Sequence, residues 1–167
     1  SVPSYVWEPN TRALNSAGFR TLRYDLYGRG FSDRPELEYD HQLFTRQLDG
    51  LIGELSLTEP QVVVGLSMGG PIAASYQSQN PDIVKGLILV APEIKASTVK
   101  DIFPLNLPGV GEYLMSAIME PYLLPKLQVS DFDQPELVPD WEEIYRKQVL
   151  YKGTGQALLS TARNLID

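Results

Sequence analysis

Gln61-Val62-Val63-Val64-Gly65-Leu66-Ser67-Met68-Gly69-Gly70-Pro71 is the stretch on which the reading of this chain turns. Its first six residues are a continuous, β-branched-rich run, the pattern of a parallel strand buried on both faces. From Ser67 to about Gln79 the spacing is helical, with Pro71 tolerated in a first turn. Asn80-Pro81-Asp82 breaks that helix, and Val84 to Val90, with Leu87-Ile88-Leu89-Val90 inside it, supplies the next strand. A Gly-x-Ser-x-Gly pentapeptide therefore stands between a strand and a helix, the context that gives it chemical meaning.

On such a corner the serine occupies a tight, strained turn and its hydroxyl projects above the sheet. Gly65 and Gly69 are expected to face close packing that leaves no room for a Cβ, with Gly70 relaxing the crowding further. Ser67 is the candidate nucleophile. The backbone N–H of Met68, at the start of the helix, is a candidate donor to a developing oxyanion.

Upstream, residues 5–18 read as a short helix with Trp7, Leu14 and Ala17 apolar and Gly18 as the stop. Arg20-Thr21-Leu22-Arg23-Tyr24-Asp25 reads as a strand, followed by the turn-rich Gly28-Arg29-Gly30-Phe31-Ser32-Asp33-Arg34-Pro35. Asp40 can cap a helix through about Leu55, on which Phe44, Leu48, Leu51, Ile52 and Leu55 keep helical spacing. Gly28-Arg29-Gly30 invites a dinucleotide-cradle reading. That fingerprint needs a third glycine where Asp33 stands, and a helix where Pro35 and a charged loop stand. A tight return loop is the better reading.

Beyond Ala91-Pro92 no further strand is expected. Residues 93–167 read as short helices joined by turns at Pro104, Pro108, Pro121, Pro125, Pro135 and Pro139. The fold class is α/β: three parallel strands with flanking helices over residues 1–92, then a helical region over 93–167. Trp7 and Phe31 suit a pocket near the serine or core packing, and core packing is the better reading, since large aromatics mostly serve burial. Tyr113, Tyr122, Met115 and Met119 suit either a greasy surface facing substrate or internal packing. Asp140, Glu142, Glu143, Arg146 and Lys147 read as a solvated helix face with spaced ion pairs.

Composition excludes other classes. The chain has 167 residues, 43% of them apolar and 21% charged, which fits one globular domain rather than disorder. A formal charge of −7 opposes phosphate backbones and anionic membrane surfaces. There is no Cys, so disulfides and thiolate metal sites are out, and no His/Asp cluster suggests a metal. No run is long enough to span a bilayer and no signal peptide is visible. A soluble chain is expected, cytoplasmic by default, with a small-molecule partner, no cofactor, and no oligomeric state indicated.

With these segments placed, the chain resembles the α/β-hydrolase fold superfamily. The resemblance rests on Arg23-Tyr24-Asp25-Leu26-Tyr27-Gly28-Arg29-Gly30-Phe31-Ser32-Asp33, on Val64-Gly65-Leu66-Ser67-Met68-Gly69-Gly70, and on Gly86-Leu87-Ile88-Leu89-Val90-Ala91-Pro92. It covers residues 5–92, and 93–167 is similar in place to the cap that many members insert. The resemblance implies acyl transfer to water, ester hydrolysis being the commonest case, with Ser67 attacking and Met68 N–H forming half of the oxyanion hole. Perhydrolases, acyltransferases and carbon–carbon bond hydrolases keep the same serine. Dehalogenase relatives carry Asp there, and a ligand-binding relative without a triad is a further alternative.

The chain also departs from the family pattern. Family order is Ser, then Asp or Glu, then His, yet the sole His, His41, precedes Ser67. It reads as a first-turn helix residue rather than a general base. A Ser-x-x-Lys dyad is absent, since Gly70 holds that offset. Asp101, Glu112, Asp131 and Asp133 follow Ser67, but none follows an expected strand, and they read as solvated charges. The sequence opens at Ser1-Val2-Pro3, where the family's other oxyanion loop would be ending. The catalytic acid, the histidine and the second oxyanion donor are therefore expected outside this chain. The resemblance also implies that a strand normally lying between 20–25 and 61–66 is missing, leaving an unstable fragment with unpaired edges.

Overall fold

A computed structural model describes residues 2–94 and 98–165. By their contacts they form two compact units. One holds Leu37–Ile102 with the chain from Ser160 onward, and the other holds Val2–Glu36 with Phe103–Leu159.

The first unit is built around residues 61–79. Asp40 caps α2 (His41–Glu54), its Oδ1 accepting from Leu43 N–H at 2.7 Å. The apolar stripe of α2 buries Leu43, Phe44, Leu48 and Ile52. β1 (Gln61–Leu66) pairs in parallel with β2 (Val84–Val90), and α3 (Gly69–Gln79) crosses between them. α3 packs on both strands and on α2, burying Ile72, Ala73 and Tyr76. Burial raises the Tyr76 phenol above its ordinary value, with the Asp49 charge adding to the shift.

Register places Val62, Val64 and Leu66 beside Gly86, Ile88 and Val90. The opposite face carries Gly65 and Leu89, which lie toward α3. The run was expected to be buried on both sides, but Val62 is 60% exposed and Ile88 52%, with Val64 and Val90 also exposed. Two strands with a helix on one face leave the other face bare.

Residues 20–25 are the second correction. They form no strand, and the described sheet has two strands rather than three. Isolated extended backbone has no ladder to join, and β structure exists only as pairing.

The second unit gathers around Trp141. After a 3₁₀ turn (Ser4–Trp7), α1 (Glu8–Ser16) ends before Gly18, which takes φ 88°. The later helices are α4 (Val110–Leu114), a π-helix (Met115–Leu123), α5 (Leu124–Ser130), a 3₁₀ turn (Pro135–Leu137) and α6 (Trp141–Val149). α7 (Thr154–Asn164) starts in this unit and ends in the first. The Trp141 ring lies 4.6 Å from that of Tyr5 and 4.7 Å from that of Phe132. Pro121 and Pro125 do not make turns as expected. Pro125 opens α5, and Pro121 sits inside the π-helix. There the Leu124 N–H reaches Met119 O, five residues back, so the ladder has already left the spacing that proline would break.

The expected face of spaced pairs is present on α6, where Arg146 meets Glu142 at 2.6 Å and Lys147 meets Glu143 at 2.7 Å. Phe31 is not in a core. It is 80% exposed and touches Tyr151 edge-on, while Trp7 is half-buried. Met115 is buried, whereas Tyr113 and Tyr122 are exposed. Among the described residues no helix is long and apolar enough to cross a membrane.

Candidate active site

β1 ends at Leu66 and α3 begins at Gly69, so Ser67 and Met68 alone make the corner. Ser67 takes φ 50°, a left-handed conformation that costs a residue with a Cβ and persists only where its surroundings enforce it. The enforcement is visible. Ser67 N–H donates to Val90 O at 3.0 Å, and Ser67 O accepts from Gly70 N–H at 2.9 Å and from Glu93 N–H at 3.1 Å. With its backbone tied on both sides, the Ser67 side chain faces solvent.

The glycines divide differently from the expectation. A Cβ on Gly65 would come within 2.3 Å of Gly69 O, and one on Gly70 within 2.7 Å of Pro92 Cβ. A Cβ on Gly69 would meet nothing within 4 Å. The tight positions are therefore Gly65 and Gly70. Gly69 lends its carbonyl to the crowding but has room of its own.

Met68 has a buried side chain and helical backbone angles, φ −53° and ψ −29°. Its N–H lies at the start of α3, where helix geometry provides no intrahelical acceptor. It donates to no backbone acceptor among the described residues. A corner of this kind can present a hydroxyl and an adjacent free N–H to one small polar group.

His41 lies elsewhere. It is the first residue of α2 and is exposed, lining a polar groove with Gln42, Thr45, Arg46, Asp49, Ser75, Gln79 and Asn80. That groove takes from α3 only its C-terminal half. At 1.5 Å per residue the groove is roughly 12 Å or more along the helix from Ser67.

Three of the acids singled out downstream serve local structure. Asp101 Oδ2 accepts from Thr98 N–H and hydroxyl, Glu112 Oε2 accepts from Gly109 N–H at the start of α4, and Asp131 Oδ2 faces Gln128 Nε2 at 3.4 Å. Asp133 makes no such bond among the described residues. The acid that sequence reading passed over is Glu93, the third residue beyond β2, whose backbone touches Ser67. Its signal was an acidic residue just past an apolar strand, at the end of the sheet where parallel α/β folds bind ligands.

In the second unit, Asp25 organises the return loop. Its carboxylate accepts from Ser4 N–H at 2.6 Å and Phe31 N–H at 2.9 Å. Gly30, at φ 48°, leaves the space that this carboxylate fills. Arg34 reaches Gly30 O, Ser32 O and the Thr154 hydroxyl. The glycines thus serve a carboxylate-centred loop, not a phosphate cradle.

The model of the α/β-hydrolase fold matches residues 4–148. A haloalkane dehalogenase of Agrobacterium fabrum is 28% identical over 170 residues, covering 97% of this chain and 54% of its own length. The crystal structure of the haloalkane dehalogenase DatA from Agrobacterium tumefaciens superposes with a TM-score of 0.80 at 26% identity, over 99% of this chain and 58% of that one. A thermophilic esterase from Thermogutta terrifontis gives 0.75 at 20% identity, over 99% and 60%, which speaks for the fold alone. The chain spans about half the length of that curated dehalogenase. Matched along most of its length and carrying its corner between β1 and α3, the chain belongs to the α/β-hydrolase fold family.

Proposed function

We propose that this chain bears the nucleophile of a serine hydrolase acting on a carboxylic ester or related acyl bond. The observation that supports it best is Ser67 at φ 50°, exposed on a backbone-tied corner beside the Met68 N–H, which has no partner among the described residues. In this reading Ser67 Oγ attacks the acyl carbon and Met68 N–H stabilises the oxygen that becomes negative. Collapse expels the alcohol and leaves an acyl-serine, which water then cleaves. The proton of Ser67 needs an acceptor, and His41 lines the far groove, so the base is supplied by polypeptide other than this imidazole. Residues 1–92 serve as core and 93–167 as cap in this reading.

Similarity to dehalogenases does not carry their chemistry across. A serine that displaced halide from an alkyl carbon would form an ether with no carbonyl for water to attack, so turnover would stop after one event. The same serine on an acyl group gives a hydrolysable ester. Acyl transfer to another acceptor, perhydrolysis and carbon–carbon cleavage use the same first step, and thioester, ester and diketone substrates tell them apart.

The deciding experiment is labelling of the full-length gene product with a fluorophosphonate probe. Labelling at Ser67, lost in Ser67→Ala together with ester cleavage, is the expected result. No adduct at Ser67 in the folded protein would remove this reading and favour a ligand-binding relative.

A further inference from the structure

The turn after β2 is locked to the corner that holds Ser67. Val90 O accepts from Ser67 N–H, and Glu93 N–H donates to Ser67 O. Between them Ala91 takes φ 41°, and Pro92 packs into the space over Gly70 where a Cβ would stand. These contacts fix the backbone of Glu93 beside that of Ser67. The Glu93 side chain is exposed, and its carboxylate has no hydrogen bond or ion pair among the described residues.

A carboxylate on that backbone stands within about one Debye length of the Ser67 hydroxyl, roughly 8–10 Å at physiological ionic strength. It occupies the carboxyl end of β2, the side of a parallel α/β sheet on which ligands are received. We infer that Glu93 sets the charge preference of this site, admitting neutral or cationic acyl compounds and disfavouring those with an anionic group near the reacting carbonyl. The inference rests on Ser67 being the nucleophile. The formal charge of −7 on the whole chain acts in the same direction at long range, but Glu93 is the contribution that one substitution removes.

The absence of Cys permits a test that needs no catalysis. In Ser67→Cys the chain has a single thiol, whose thiolate attacks a methanethiosulfonate, forming a mixed disulfide and releasing methanesulfinate. Rates are measured with the cationic trimethylammonioethyl reagent and the anionic sulfonatoethyl reagent. Any effect of Glu93 on thiol ionisation is common to both and cancels in their ratio. Adding Glu93→Gln lowers the cation-to-anion ratio by roughly fivefold at low salt, from one unit charge about 8 Å away in water. The change shrinks as salt is added, and Glu93→Asp preserves the ratio of Ser67→Cys. An unchanged ratio with Glu93→Gln overturns the inference. So does an equal fall with Glu59→Gln, an exposed acid before the other end of β1, because net charge alone would then explain it. Fluorophosphonate labelling judges the nucleophile separately. A charge effect without labelling would leave the field of Glu93 standing and remove only the acyl chemistry.

Discussion

The carbonyl oxygen of Gly69 lies where a Cβ on Gly65 would be, 2.3 Å from its ideal position. Neither atom is at the end of a flexible side chain, so neither can move aside cheaply. Gly65→Ala should therefore cost roughly 2–3 kcal/mol by overpacking, or displace the corner that carries Ser67. Gly69→Ala has open space and gains helix propensity, so it should stay within about 1 kcal/mol of the parent, on the stabilising side. Urea midpoints of the two variants give the comparison, and equal losses would contradict this packing.

Asp40 Oδ1 holds Leu43 N–H at 2.7 Å at the start of α2. Asp40→Ala leaves that donor to water and should cost about 1 kcal/mol, while Asp40→Asn should cost only a fraction of that. The same denaturation experiment reads both. A full-sized loss in the Asn variant would point to charge rather than hydrogen bonding.

Trp141 is buried between the Tyr5 and Phe132 rings, yet its Nε1 has no hydrogen-bond partner among the described residues. Its contribution is therefore packing. Trp141→Ala should cost roughly 3–5 kcal/mol. Trp141→Phe gives up no internal hydrogen bond and should retain more than half of that. Near-equal losses in thermal or urea unfolding would show that the indole N–H is engaged.

Tyr145 gives a pH signature. Burial is the main cause that pushes its phenol from 10.0 up to about 12, with Asp131 adding to the rise and Arg29 opposing it. The folded protein holds this proton more tightly than the unfolded chain does. The stabilisation is fully present below pH 10 and is lost as pH rises toward 12, with a slope of up to about 1.4 kcal/mol per pH unit. Burial raises Tyr5 in the same direction. In Tyr145→Phe the alkaline fall in stability should be shallower. An identical profile would mean that this phenol is not the group responsible.

Much of the first unit was legible in sequence because its signals are local. Asp40 with the spacing of Phe44, Leu48 and Ile52 defines α2, the valine run defines β1, and Ser67 between strand and helix defines the corner. Residues 20–25 have the composition of a strand but not its partner, and no sequence pattern displays a missing neighbour. The size of Phe31 points to a core, whereas its position is set by the loop around Asp25 and by Tyr151. Pro121 looked like a turn because proline breaks the ordinary ladder, and wider winding is not encoded in any single residue. Glu93 carries little local signal, because Ala91 and Pro92 separate it from the strand. Only folding brings its N–H back to Ser67.

The uncovered Val62, Val64, Ile88 and Val90 make concentration an experimental variable. Dilute samples of the 167-residue chain should stay dispersed, while crowded ones find one another through this greasy sheet. Light scattering across a dilution series would then matter as much as any assay, because a rate per molecule has meaning only once it is known how many molecules travel together.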